Sequence, residues 1–211
     1  MFITFEGGEG TGKSTQANLL KDFLIKKGFD VVLTREPGGT SLAETIRNVL
    51  LTGSPDKIGA LPEALMYLSA RADHWDRVIK PALDAGKVVI CDRFHDSSIV
   101  YQGICKDVDI ELLNAIYANI TQNIVPDRTY LIDLDPQIGI KRSLNQKDTE
   151  TRFEKMDIAF HNKVRQAYLD IANQNKQRFL TIDGGYPVQE IHNIIKSDIQ
   201  NLTGNLPARS R

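Results

Sequence analysis

Five short apolar runs punctuate the chain, at residues 2–6, 31–34, 88–92, 128–134 and 179–182. They are too short for helices and rich in Val, Ile, Leu and Phe, so each reads as a strand, the first apolar enough to be buried on both faces. Between them apolar residues return every three or four positions, as in Ala17, Leu20, Phe23 and Leu24, then Leu42, Ile46, Val49 and Leu50, then Leu112, Leu113, Ile116 and Ile120. This period predicts helices over 13–27, 41–51, 62–80, 109–123, 153–174 and 187–202. Another helix begins at Pro136, with Asp135 as its N-cap. Strands alternating with helices predict an α/β fold, a five-stranded parallel sheet with helices on both faces. The strands follow one another too closely for a second core, which predicts a single domain over 1–205 and a disordered tail over 206–211.

Composition narrows the class only slightly. A formal net charge of -1 gives no global attraction to nucleic acid. No apolar run reaches membrane-spanning length, and the first residues lack the basic-then-apolar order of a secretory leader. The two cysteines, Cys91 and Cys105, have neither metal-site nor disulfide-framework spacing. A cytoplasmic protein without nucleic-acid or membrane partners is the expectation.

Chemistry enters at the first strand. Gly7, Gly12, Lys13 and Ser14 satisfy G-x-x-x-x-G-K-[ST], and the motif sits between a strand and a helix. Glycines let backbone N–H groups curl toward a polyphosphate, and the helix N-terminus adds unpaired N–H donors. The stretch Gly7, Gly8, Glu9, Gly10, Thr11, Gly12, Lys13, Ser14 and Thr15 is therefore the expected cradle for ATP phosphates. Lys13 reaches the β- and γ-phosphates and Ser14 holds Mg²⁺, which defines a P-loop NTPase-type fold. The third apolar run ends in Asp92, a second expected Mg²⁺ contact, followed at once by Arg93.

Other polar groups cluster after strands or on one helix. Arg35 and Glu36 stand at the carboxyl end of the second run, before a Pro-Gly-Gly turn, where open α/β sheets place ligand groups. Tyr67 and Arg71 are four apart on a predicted helix and share a face. They suit a planar base, or else are a half-buried ring with a surface charge. Ser97, Ser98, Tyr101 and Gln102 follow Arg93 and have the groups to read a base edge. The polar stretch 145–151, flanked by Arg142 and Arg152, is either a solvated loop or a lid, placed at about 142–152, that closes over phosphates.

Together these stretches resemble the thymidylate kinases over residues 2–200. The discriminating segments are Asp92-Arg-Phe-His-Asp-Ser-Ser-Ile-Val-Tyr-Gln102, Thr34-Arg-Glu-Pro-Gly-Gly-Thr40 and Leu65-Met-Tyr-Leu-Ser-Ala-Arg71. The resemblance implies transfer of the γ-phosphoryl group of ATP to dTMP, with Mg²⁺, by a homodimer. It implies that Glu9 contacts the deoxyribose 3′-hydroxyl and that Tyr67 replaces a base-stacking Phe. Arg71 meets the thymine carbonyl, Ser98 and Gln102 read the base, and Tyr101 lies against the sugar. Arg35 and Arg93 approach the acceptor phosphate, and Asp92 joins the metal network.

One departure concerns the cation opposite the transferring phosphoryl group. No basic residue lies among Gly8, Glu9, Gly10 and Thr11, so the lid must supply it. Only Lys147 lies within the lid core, and Arg152 at its edge is the other candidate, with Arg142 a structural residue. Three rival readings remain. One is a kinase on the same scaffold with another acceptor. A GTP switch is disfavoured because Asn145-Gln-Lys-Asp148 has its letters out of order, and a nucleic-acid ATPase is disfavoured by charge. The roles of Trp75 and His95 stay open.

Overall fold

A computed structural model describes residues 1–145 and 152–204. Five strands, β1 (Phe2–Glu6), β2 (Val31–Arg35), β3 (Val88–Asp92), β4 (Arg128–Asp133) and β5 (Phe179–Asp183), form one parallel sheet in the order β2-β3-β1-β4-β5. The register pairs Phe5 with Asp92 and with Tyr130, so the carboxyl ends of the central strands lie side by side. The chain leaves β1 toward β2 on one side and later crosses to β4 on the other. That reversal opens a crevice above β1, the usual ligand position in such sheets.

Alternation along β1 assigns its two faces. Ile3 and Phe5 pack with Ala17, Leu20 and Leu24 of α1 (Lys13–Lys26) and with Ile191, Ile195 and Ile199 of α9 (Val188–Thr203). Phe2 points the other way, into a core with Trp75, Val89, Cys91, Phe94 and Tyr117. Trp75 is thus a core side chain, tilted against Phe2 and Phe94.

The remaining helices are α2 (Ser41–Leu51), α3 (Ala60–His74), α4 (Lys80–Asp84), α5 (His95–Ser98), α6 (Ile110–Thr121), α7 (Pro136–Leu144) and α8 (Ile158–Gln174). Two expected helices differ from the pattern. The one expected over 62–80 starts at Ala60 and widens into a π-helical turn, Trp75–Ile79, before α4. Pro81 explains the break, because its ring has no N–H to give and would clash with the Arg77 carbonyl of a regular helix. The helix expected from residue 153 starts five residues later. There Asp157 caps the chain by accepting from the Phe160 N–H at 2.7 Å. A second π-helical segment, Ile99–Ile104, follows α5. The expected tail lies outside the described residues, as does most of the expected lid.

Candidate active site

The P-loop turns on glycine. Gly7, Gly10 and Gly12 have φ values of 138°, 64° and 95°, in the left-handed region that a side chain disfavours. Gly10 has a second reason: a Cβ there would stand 1.9 Å from the Gly139 carbonyl oxygen of α7, and one on Gly139 would stand 2.4 Å from that of Glu9. The loop and the helix leading to the lid are therefore in backbone contact through two glycines. Lys13 folds back over the loop and donates to the Gly8 carbonyl at 2.6 Å. Burial, and Arg93 beside it, lower its ammonium to about 8 from an ordinary 10.5. Ser14 donates to Asp92, at the carboxyl end of β3. This hydroxyl–carboxylate pair at the mouth of the loop is a hard-oxygen donor set that fits Mg²⁺.

Arg93 occupies a left-handed conformation, φ 67°, unusual for a non-glycine residue. Its guanidinium donates to the Gly7 carbonyl at 2.9 Å, to Tyr168 at 3.1 Å and to Glu9 at 3.1 Å. Glu9 also accepts from the Tyr101 hydroxyl at 2.8 Å and lies 3.6 Å from His161 Nδ1. Burial pushes the Glu9 carboxyl up, but His161, Arg93, Lys13 and Tyr101 outweigh it and bring it to about 2. Glu6, the last residue of β1, accepts from Phe94 N–H, Ser97 and Tyr168 at 2.8, 2.6 and 3.0 Å. Burial and the nearby Asp96 carboxylate raise it to about 7, against the hydrogen bonds that favour its ionised form.

Arg71 is buried, which removes the surface-charge alternative. Its Nε donates to Glu36 at 2.7 Å, and its other nitrogens reach Ser98 and the Phe94 carbonyl, both at 3.0 Å. Glu36 is braced in turn by the His74 ring at 3.0 Å, whose far nitrogen lies 2.6 Å from the Thr34 hydroxyl. Burial pushes the Glu36 carboxyl up, but Arg71 and His74 hold it below the carboxylate norm. Arg35 is exposed and paired with Glu44 at 3.1 Å.

One cleft of about 260 Å³ gathers these groups. Its walls include Lys13, Ser14, Asp92 and Arg93 together with Arg35, Tyr67, Arg71, Ser98, Tyr101 and Gln102. Glu36, read from the sequence beside Arg35 as a ligand position, lines it too, and so do Arg47, Phe153 and Glu154, which were not singled out from the sequence. Arg47 and the carboxylates Glu6 and Glu63 carried no sequence signal of function, because a lone charge on a helix or strand end reads as solvated surface.

Arg152 requires a correction. It was expected as a lid cation, yet it is 1% exposed and does not line the cleft. Its guanidinium pairs with Glu63 at 2.6 Å and donates to the carbonyls of Leu50, Ser54 and Pro55. Lys147 lies outside the described residues. Arg142 donates to the Gly184 carbonyl at 3.2 Å. His95 stacks on Tyr117 at 3.8 Å and meets Asn114 at 2.8 Å, away from the cleft. Burial and the Arg71 charge lower it to about 4, so it is a neutral packing residue at physiological pH.

A phosphate loop at the switch point of a parallel sheet, with a Ser–Asp pair beside it and a polar cleft opening from it, defines a P-loop phosphotransferase. The thymidylate kinase family model matches residues 5–195, and the chain belongs to that family. It is 44% identical to a thymidylate kinase of Magnetococcus marinus over 199 residues, 94% of this chain and 95% of that one. It is 42% identical to a thymidylate kinase of Pelobacter propionicus over 210 residues, covering 97% and 96% of the two chains. The crystal structure of thymidylate kinase from Ehrlichia chaffeensis superposes with a TM-score of 0.78 at 34% identity, over 95% of this chain and 98% of that chain.

Proposed function

We propose that this protein is an ATP-dependent dTMP kinase, transferring the γ-phosphoryl group of ATP to dTMP to give dTDP. The observation that carries the reading is the single cleft, lined both by the P-loop residues Lys13 and Ser14 and by a base-sized set, Tyr67, Arg71, Ser98 and Gln102. Phosphoryl transfer needs little covalent help from protein. It needs two anions aligned and the equatorial charge neutralised. In this reading the P-loop backbone and Lys13 hold the donor phosphates, while Arg93, Arg35 and Arg47 face the acceptor phosphate. Ser14 and Asp92 are the residues that would hold Mg²⁺, which when bound neutralises charge on the donor phosphate oxygens. Glu9, held ionised and aimed by Arg93 and Tyr101, is an acceptor for a sugar 3′-hydroxyl. The Tyr67 ring stacks on the base, and Arg71 donates to a base carbonyl. Incubation with ATP, Mg²⁺ and dTMP, followed by chromatography, tests this directly. The expected product is dTDP with stoichiometric ADP; ADP release independent of dTMP would overturn it.

The assembly belongs to the same proposal. Leu61 and Leu65, four apart on α3, and Ile110 and Leu112, at the start of the adjacent α6, are exposed, between 38% and 47%. This apolar surface supports a homodimer, and a solution mass equal to one 23.6 kDa chain at micromolar concentration would contradict it. Among the described residues no helix is long and apolar enough to cross a membrane. The free thiols Cys91 and Cys105 support a reducing, cytoplasmic setting.

A further inference from the structure

Beside the cleft lies a buried ionic knot that the proposed chemistry does not use. At its centre is Glu63, in the first turn of α3 and 0% exposed. One oxygen accepts from Lys106 Nζ at 2.7 Å and from Gln102 Nε2 at 2.9 Å. The other accepts from Lys106 at 2.7 Å and pairs with Arg152 at 2.6 Å. Lys106, Arg152 and Gln102 all present N–H donors to its two oxygens, so Glu63 acts here only as an acceptor. Both cations also lie over the ring of Phe153, at 5.4 and 5.3 Å, and Phe153 lines the cleft.

The consequence falls on Gln102. A side-chain amide has a donor end and an acceptor end, and a rotation of half a turn exchanges them. A carboxylate that accepts from two cations tolerates only the NH₂ end, because a carbonyl oxygen turned against it would be repelled. The carbonyl oxygen of Gln102 is therefore left for the cleft that the residue lines. Beside it Arg71, which contacts Ser98, offers only donors. Donor next to acceptor matches a pyrimidine with a 4-keto oxygen and an N3–H. A 4-amino pyrimidine presents the reverse order at those two atoms.

We infer that Glu63 is a positioning residue for base selection: it locks the polarity of the Gln102 amide and so selects 4-keto over 4-amino pyrimidine monophosphates. This rests on the dTMP reading above. The Glu63→Gln variant supplies an amide that can either donate or accept, which frees Gln102 to turn. A polar group left mispaired in a binding site is worth on the order of tenfold in discrimination. The test measures kcat/KM for dTMP and for dCMP with the full chain. The expected result is a fall of roughly tenfold in the dTMP to dCMP ratio, carried by KM for dTMP rather than kcat. In a Gln102→Leu background the same substitution leaves the ratio unchanged, because the group it acts through is gone.

A merely structural Glu63 would lower the melting temperature and total activity without moving the ratio, and that result overturns the inference. Should Glu63→Gln fail to fold, Glu63→Asp keeps a negative charge in the knot but draws both oxygens back by one methylene, which loosens the hold on Gln102. A ratio unchanged in that folded variant is equally fatal. If the native chain does not phosphorylate dTMP, the functional reading itself has failed. If it does and the ratio stays fixed, only the role of Glu63 is lost.

Discussion

At the scale of single residues the site is a set of charges whose surroundings decide their state. Lys13 has its ammonium lowered to about 8 because it is buried and Arg93 lies beside it. A bound triphosphate favours the charged form and so raises that value again. Linkage then has a definite sign: ATP affinity is level below pH 8 and weakens as pH rises through and beyond it, approaching tenfold per unit for one coupled proton. ATP is itself fully ionised over this range. Calorimetric titration between pH 7.5 and 9.5 checks this, and an affinity flat across that interval would refute it. Lys13, Ser14, Asp92 and Arg93 were legible because each ends or follows a recognisable strand. Glu6 and His74 were not, since what makes them part of the site is burial against partners 38 to 162 residues away.

Among the elements, α7 and the lid root carry the most consequence. Gly139 sits inside a helix, where Ala would ordinarily stabilise by about 1 kcal/mol. Here a Cβ would meet the Glu9 carbonyl oxygen at 2.4 Å, so α7 must move off the P-loop. Gly139→Ala is expected to cost about 1–3 kcal/mol in stability. It should raise KM for ATP more than KM for dTMP. Thermal melts and steady-state kinetics decide between this and the helix-propensity outcome. The lid root makes the opposite lesson. Arg152 looked from its position like a charge for the phosphates, and it is instead a buried clamp joining Glu63 to the segment after α2. Breaking such a pair by Arg152→Met is expected to remove about 3–5 kcal/mol of stability. A hundredfold loss of kcat with an unchanged melting temperature would restore the lid role. The apolar runs located every described strand, because they are too short for helices and each is followed by turn residues or a helical spacing. Periodicity missed the π-helical turn before α4 and the late start of α8, which depend on Pro81 and on the Asp157 cap rather than on hydrophobic spacing.

For the whole molecule, the parallel sheet brings Glu6, Arg35 and Asp92 to one edge although they lie on three strands. Their helices and turns add Tyr67, Arg71, Ser98 and Gln102 to the same cleft. Alternation of strands and helices predicted that convergence, and the motif at β1 predicted which edge. What periodicity alone leaves open is the acceptor, since the phosphate loop serves many nucleotides and the base pocket is built from side chains of separate elements. Specificity is therefore the most exposed claim. The deciding measurement is a coupled ADP-release assay with ATP and Mg²⁺, offering dTMP, dUMP, dCMP, dGMP, AMP and UMP in turn. Strong turnover with dTMP and weak turnover with dCMP and the purine and ribonucleotide acceptors is the expected result. Preference for AMP, dGMP or dCMP would leave the P-loop scaffold standing and contradict the pocket assigned to Tyr67, Arg71, Ser98 and Gln102.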